Sequence, residues 1–301
     1  MKRILILGSE GFIGSHLVQH YLNRGWEVMG ADLMETTNHA IAYHKIQDKE
    51  EGYEKLVQNF QFDFCVNAAG NGDVNFSVTN PYDDFRSNTL MTIRLLEALR
   101  KYAPLCKYLH ISSAAVYGNP IKLPINEHDV INPISPYGWH KFLAEESCKE
   151  YNEVYGIQCA IIRPFSVYGP GLKKQLLWDV YVRSKEANGP LELWGTGAET
   201  RDFIYIDDLT KAVELIFERS EMKASIYNLA SGEMTAIADL VPMLLTALGK
   251  PSAVYFNGNV RKGNPNQWKA DVSKIKELGF EPAVDLKTGI SKLADWMRHL
   301  S

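Results

Sequence analysis

Cysteine is scarce and unpatterned in this chain. Four residues, Cys65, Cys106, Cys148 and Cys159, stand without any Cys-x-x-Cys spacing. That excludes a disulfide framework and a thiolate metal site, and leaves buried reduced thiols in a cytoplasmic protein as the expectation. The eight histidines show no metal-ligand spacing, so no metal is expected; His39 and His44 read as solvated and His110 as a strand residue. No apolar run exceeds strand length, which excludes a membrane-spanning helix. The opening Met1-Lys2-Arg3-Ile4-Leu5-Ile6-Leu7 resembles a signal start in charge, but it is short and runs straight into glycines, so it reads as a strand. Neither sign of charge is in excess. The net charge of −4 gives no footprint for nucleic acid or an anionic membrane, and an anionic ligand has to be held by local arginines. Internal repeats and low-complexity tracts are also missing. What remains is a chain of 301 residues, 46% hydrophobic, enough for one large domain or two interlocked lobes.

A glycine-rich turn follows the first strand. Arg3–Leu7 is an apolar run of the kind that forms a buried parallel strand. Gly8-Ser9-Glu10-Gly11-Phe12-Ile13-Gly14 comes directly after it, and Ser15 to Asn23 continue as an amphipathic helix. Strand, Gly-x-x-Gly-x-x-Gly and helix are what a pyrophosphate site needs. The glycines allow a tight turn and close approach, and the helix N-terminus offers free N–H groups at its positive end. The next strand, Trp26 to Ala31, ends at Asp32. A carboxylate there can accept both ribose hydroxyls of an adenosine and would repel a 2′-phosphate, which favours NAD and leaves NADP as the lesser possibility. A Gly-rich turn in a nucleotide-free fold is the plain alternative.

Tyr137 and Lys141 stand four residues apart at the start of a long helical pattern, so both fall on one helix face. A phenol beside an ammonium is a route to a general base, because the cation favours the phenolate and lowers the tyrosine pKa. Ser113 follows the strand Lys107–Ile111, where a parallel sheet places its chemistry, and can hold a carbonyl or alcohol oxygen. Ser112 reads as ordinary turn chemistry.

Strand-like runs alternate with helical patterns up to Tyr168: Phe62–Asn67, Pro81–Lys101, Tyr108–Ser112, Tyr137–Tyr155 and Gln158–Arg163. That alternation predicts an α/β fold, a Rossmann-type doubly wound parallel sheet. Gly169-Pro170-Gly171 breaks it. A helix near Gln175–Glu186 and a strand near Leu191–Trp194 come next, and Phe203–Ile206 and Ile226–Leu229 read as strands returning to the first lobe around a helix from Asp207 to Arg219. Ala236–Leu248 and Lys287–His299 read as helices of a smaller α/β lobe. The expected division is a cofactor domain of residues 1–168 plus 201–232 and a substrate lobe of residues 169–200 plus 233–301, with the ligand between them.

These residues together resemble the extended short-chain dehydrogenase/reductase family, in its nucleotide-sugar branch of the UDP-glucose 4-epimerase type. The resemblance runs from the glycine turn through Asn67-Ala68-Ala69, Ser113–Gly118, Tyr137-x-x-x-Lys141, Arg163–Gly171 and Gly195–Ile204 to Arg261 and Ala270-Asp271. It implies a catalytic set of Ser113, Tyr137 and Lys141. It implies cofactor contacts at Gly8, Gly11, Phe12, Ile13, Gly14, Asp32, Ala68, Ala69, Asn88 and Pro164, besides Tyr137 and Lys141. Arg201 and Arg261 match two arginines that clamp a sugar-nucleotide diphosphate, for which the planar guanidinium fork is suited. A homodimer through the segments Asp84–Lys101 and Tyr137–Tyr155 is implied as well.

The departures from the family pattern narrow the chemistry. Ala114 and Ala115 replace an acidic pair found in 4,6-dehydratases, which argues against water removal. Ser166 stands where an asparagine often contacts the ligand, and Lys45 where an aspartate often contacts adenine. Trp268 falls where side-chain bulk gates room at C2 of the sugar, so a large indole argues against a 2-acetamido group. The expected activity is an NAD-dependent 4-epimerase of a nucleotide-diphosphate hexose. The alternatives are a 4-ketoreductase of a 4-keto-6-deoxy sugar with the same residues, and a non-catalytic dinucleotide sensor or RNA-binding relative.

Overall fold

The structure, a computed structural model, describes residues 1–47, 53–186, 189–250, 253–259 and 266–300. In chain order the first half comprises β1 (Arg3–Leu7), α1 (Phe12–Asn23), β2 (Glu27–Asp32), β3 (Ala42–Lys45), α2 (Glu54–Asn59), β4 (Phe64–Asn67), α3 (Val74–Thr79), α4 (Pro81–Phe85), α5 (Met91–Tyr102), β5 (Lys107–Ile111) and α6 (Pro136–Tyr155). The second comprises β6 (Cys159–Pro164), β7 (Ser166–Tyr168), α7 (Gln175–Glu186), β8 (Leu191–Leu193), β9 (Thr200–Tyr205), α8 (Ile206–Arg219), β10 (Lys223–Leu229), β11 (Met234–Ala236), α9 (Ile237–Ala247), β12 (Val254–Phe256), α10 (Ser273–Glu277) and α11 (Leu286–Arg298).

Seven strands form one parallel sheet in the order β10-β6-β5-β4-β1-β2-β3. Its interior strands are mostly apolar because both faces are covered, with Asn67, His110 and Arg163 as buried polar exceptions. In β1, Ile4 and Ile6 enter the core shared with α1 and α8, while Leu5 and Leu7 enter the core under α5, as period-two alternation requires. Strand order turns at β1 and β4, which opens a crevice at their carboxyl ends.

The strand expected near Phe203 to return to this sheet does not do so. β9 pairs with β7 in parallel and with β11 antiparallel, in a separate three-stranded sheet. β8 and β12 make a two-stranded parallel pair beside it. Of the two expected returns only β10 joins the main sheet, along β6. The helix expected over Pro81–Lys101 runs unbroken from Pro81 to Tyr102, with α4 and α5 joined through a π-helical turn at Arg86–Leu90. Among the described residues no helix is long and apolar enough to cross a membrane, and no cluster of three or more His, Cys, Asp or Glu side chains could hold a metal ion. All four cysteines are buried and free.

Candidate active site

The glycine turn is shaped by close backbone contacts. Gly8 has φ +74°, and a Cβ there would lie 2.7 Å from the Ala69 nitrogen and 2.8 Å from the Ala68 carbonyl. A Cβ on Gly14 would lie 1.9 Å from the Gly8 oxygen. Both positions therefore require glycine. Gly11 caps α1 and has no side chain, so Phe12 and Ile13 begin the helix with their N–H groups facing the turn. At the tip of β2, Asp32 accepts from Glu10 N at 2.9 Å and Leu33 N at 2.7 Å. Glu10, overlooked in the sequence reading, accepts from Thr37 Oγ1 at 2.7 Å and Asn38 N at 3.3 Å. Burial pushes the Tyr43 phenol up to about 12, and Asp32, Glu10 and Glu35 add to the rise. Lys45 is paired with Glu35 at 2.5 Å. His39 and His44, expected to be solvated, are both half-buried in this region.

Ser113, Tyr137 and Lys141 are brought together at the carboxyl end of β5. Ser113 caps the short 3-10 turn Ala114–Tyr117, accepting from Ala115 N at 3.1 Å. Ser135 caps α6 with Pro136 at its first position. Gly138 lets that helix end press on the Ser113 loop: a Cβ there would lie 2.6 Å from the Ala115 oxygen. Tyr137 is buried, with its phenol beside the Ser113 side chain. Lys141, also buried, donates to the Ile111 carbonyl at 3.0 Å and lies 5.9 Å from the Tyr137 ring centre.

The electrostatics correct the expectation of a phenol acidified by its lysine. Burial pushes Tyr137 up to about 12, against a lowering influence of the nearby Ser113 hydroxyl, and the Asp84 charge raises it further. Burial likewise pushes Lys141 down to about 8, with Asp84 and Glu145 holding it up. The ammonium is directed at a backbone carbonyl rather than at the phenol oxygen.

A buried network supports the base of this site. Arg163 and Glu145 form a two-pronged pair, Nη2 to Oε2 at 2.6 Å and Nε to Oε1 at 2.9 Å. Arg163 Nη1 also donates to Tyr117 Oη at 2.8 Å and to the Glu127 carbonyl at 3.1 Å. Tyr117 in turn donates to Asn228 Oδ1 at 2.6 Å. Ser112, expected in plain turn chemistry, donates to Glu145 Oε1 at 2.5 Å. It anchors the carboxylate one turn along α6 from Lys141. Ala114 is fully buried and Ala115 half-buried, so neither offers a proton at this edge.

The remaining predicted residues fall around the crevice. Ala68 and Ala69 border Gly8. Asn88 lies in the π-helical turn, is buried, and donates to the Asn71 carbonyl at 3.2 Å and Asp84 Oδ1 at 3.1 Å, while its Oδ1 has no partner. Pro164 ends β6 and Ser166 begins β7. Arg201, in β9, donates to the Thr200 carbonyl at 2.8 Å and lies 5.5 Å over the Trp268 ring. Trp268 is buried against Phe165, and its Nε1 donates to the Gly118 carbonyl at 3.1 Å. Its indole is thus a platform under Arg201 as well as a wall. A cavity of about 670 Å³ lies alongside, lined by Asn119–Leu123, Thr196, Ala198, Glu199, Asn266 and Gln267. Arg261 lies outside the described residues. Asp84 and His140, neither singled out from the sequence, sit in the same site; their only signal was position, His140 between Tyr137 and Lys141.

Residues 4–230 match the family model described as the NAD dependent epimerase/dehydratase family. The chain belongs to this family. A Methanocaldococcus jannaschii relative, provisionally named a UDP-glucose 4-epimerase, is 34% identical over 98% of each chain. The UDP-glucose 4-epimerase of Mycolicibacterium smegmatis is 29% identical over 99% of each chain. The Bacillus cereus UDP-glucuronic acid 4-epimerase, solved with UDP-glucuronic acid and NAD, is similar in structure with a TM-score of 0.89 at 29% identity, over 99% of this chain and 100% of that one. Family membership agrees with the order of the motifs and with the glycine cradle at the sheet's switch point.

Proposed function

We propose that this chain is an NAD-dependent 4-epimerase of a nucleotide-diphosphate hexose. The observation that carries the reading is the gathering of Ser113, Tyr137 and, one turn on, Lys141 at the sheet edge that also holds the Gly8–Gly14 cradle. The cradle fits a dinucleotide, because its backbone approaches leave room for no side chain and its helix N-terminus faces the turn. Asp32 and Glu10 give the adenosine end two carboxylates. Ala68, Ala69, Asn88 and Pro164 border the nicotinamide side. Bound NAD would supply the acceptor and donor of a hydride at C4 of the sugar. Tyr137 exchanges the proton of the C4 hydroxyl, Ser113 holds that oxygen, and Lys141 supplies the neighbouring cation. Ser166, Arg201, Arg261 and Trp268 serve the sugar nucleotide, with Arg201 held ready by the indole. The division into a cofactor domain and a substrate lobe belongs to the same reading. So does a homodimer, supported by Trp139 and Leu143, which are 50% and 41% exposed on the outer side of α6. Four buried, free cysteines fit a reducing cytoplasm.

The test is a panel of UDP-glucose, UDP-glucuronate and UDP-N-acetylglucosamine with NAD, followed by product NMR. Inversion at C4 without net consumption of cofactor is expected. One-way consumption of NADH with a 4-keto sugar would establish the ketoreductase instead, and no turnover of any sugar nucleotide would overturn both.

A further inference from the structure

Asp84 is completely buried, and the reading above gives it no task. It lies in α4, just before the π-helical turn that carries Asn88. Its Oδ1 accepts from Asn88 Nδ2 at 3.1 Å and Asn71 Nδ2 at 3.2 Å, and its Oδ2 meets His140 Nδ1 at 2.6 Å. An ionised carboxylate only accepts, so Nδ1 of His140 carries the proton. His140 stands on α6 between Tyr137 and Lys141. Its carbonyl accepts from Thr89 Oγ1 at 2.8 Å and its ring meets Phe85 edge-on at 5.6 Å. One buried carboxylate thus ties the Asn71 loop, the π-turn and the start of α6 together.

We propose that Asp84 is a positioning residue of the 4-epimerase reaction, a buried carboxylate that locks the start of α6 through His140 and acts through that hold on Lys141. The inference rests on the role given to Lys141 above. The groups facing Lys141 are Asp84 from α4, Glu145 and Cys148 from its own helix, Lys174 from the segment before α7 and His110 from β5. Ser113 and Asp84 face Tyr137. Glu145, which also favours the Lys141 ammonium, is held by Arg163 and Ser112. Asp84 has amides and one imidazole as its partners, and its charge, more than that of Glu145, opposes the loss of the Lys141 proton to burial. Removing its charge lowers the affinity of both Lys141 and Tyr137 for protons. Both limbs of a pH–rate profile therefore move towards acid together. A purely structural loss would lower the profile without moving it.

The test is Asp84→Asn, read by the pH dependence of acetylation of the Lys141 peptide under competitive labelling with mass spectrometry. That readout needs no sugar substrate. The Lys141 midpoint should fall by about one unit, and the kcat profile should shift to lower pH on both sides. His140→Gln keeps the carboxylate, so it should leave the midpoint in place while lowering kcat. If Asp84→Asn does not fold, Asp84→Ser removes the same charge, leaves space for water, and carries the same expectation. An unchanged Lys141 midpoint in a folded neutral variant overturns the proposal. A shifted midpoint in a protein that turns over no sugar nucleotide overturns the functional reading and leaves the role of Asp84 in Lys141 protonation standing.

Discussion

Glu145→Gln should be among the costliest single substitutions in this protein. Glu145 and Arg163 are both buried, and the carboxylate takes two bonds from the guanidinium and one from Ser112 Oγ. Glutamine has nearly the same shape. It removes the charge, however, and turns one oxygen into an NH2 group that faces donors. Arg163 is then left as a buried cation whose partners are all neutral: the retained amide oxygen, the Tyr117 hydroxyl and the Glu127 carbonyl. Breaking one side of a buried pair costs about 3–5 kcal/mol. One charge-assisted bond, at about 1.5–3 kcal/mol, is lost outright and the other loses its anionic acceptor, which points to the lower part of the same range. Equilibrium urea unfolding followed by circular dichroism should therefore show a loss in the lower part of that roughly 3–5 kcal/mol range. The double variant Glu145→Leu/Arg163→Met removes both charges and should lose less than the sum of the single losses. A Glu145→Gln loss below about 1 kcal/mol would show that the pair is not the buried, dry contact that carries this cost.

Tyr137→Phe should lower turnover by roughly two to four orders of magnitude with the fold intact by circular dichroism; more than a tenth of the activity retained would remove Tyr137 from the acid–base role. Calorimetric titration should find NADH bound more tightly than NADPH, because Asp32 and Glu10 gather two carboxylates at the tip of β2 and Lys45 is taken by Glu35; the reverse order would refute that account. Arg201→Ala should raise the apparent substrate constant about tenfold with cofactor affinity unchanged, and Arg201→Lys should recover only part of it; wild-type binding in the alanine variant would point away from a sugar nucleotide. Sedimentation should show a dimer at micromolar concentration, and Trp139→Glu should give a monomer.

The main sheet and the glycine cradle were legible because each strand and each glycine announces itself locally. Arg3–Leu7 alternates its side chains between two cores, and Gly8 and Gly14 stand where no Cβ fits. The fate of β9 was not legible. Thr200–Tyr205 has the composition of a core strand, and nothing within it says which of two sheets will receive its edge. The task of Ser112 was not legible either, because its partner Glu145 comes from a helix thirty-three residues on. Asp84 was hidden for a related reason. An acidic pair after Pro81 looks like a solvated first helical turn, and its burial depends on His140 and two asparagines from other segments.

The spacing of Tyr137 and Lys141 was legible as well, but not the state of the pair. One helix turn between two side chains says that they share a face; it does not say how deeply that face is buried. Here burial acts on both groups at once and in opposite directions, lifting the phenol to about 12 and lowering the ammonium to about 8. Burial alone therefore drives both groups towards their neutral forms, which is the wrong direction for a phenolate–ammonium pair. Two remedies act differently. A carboxylate such as Asp84 preserves the ammonium but makes the phenol harder to ionise. A positive charge bound beside the phenol favours the phenolate but competes with the ammonium. Neither suffices alone. A site that holds Asp84 in its frame and admits a cationic ligand next to Tyr137 can keep Lys141 charged at rest and make Tyr137 basic only on binding. The strength of the base is then set by occupancy of the site, and proton transfer is confined to the complex in which there is a hydroxyl to receive it.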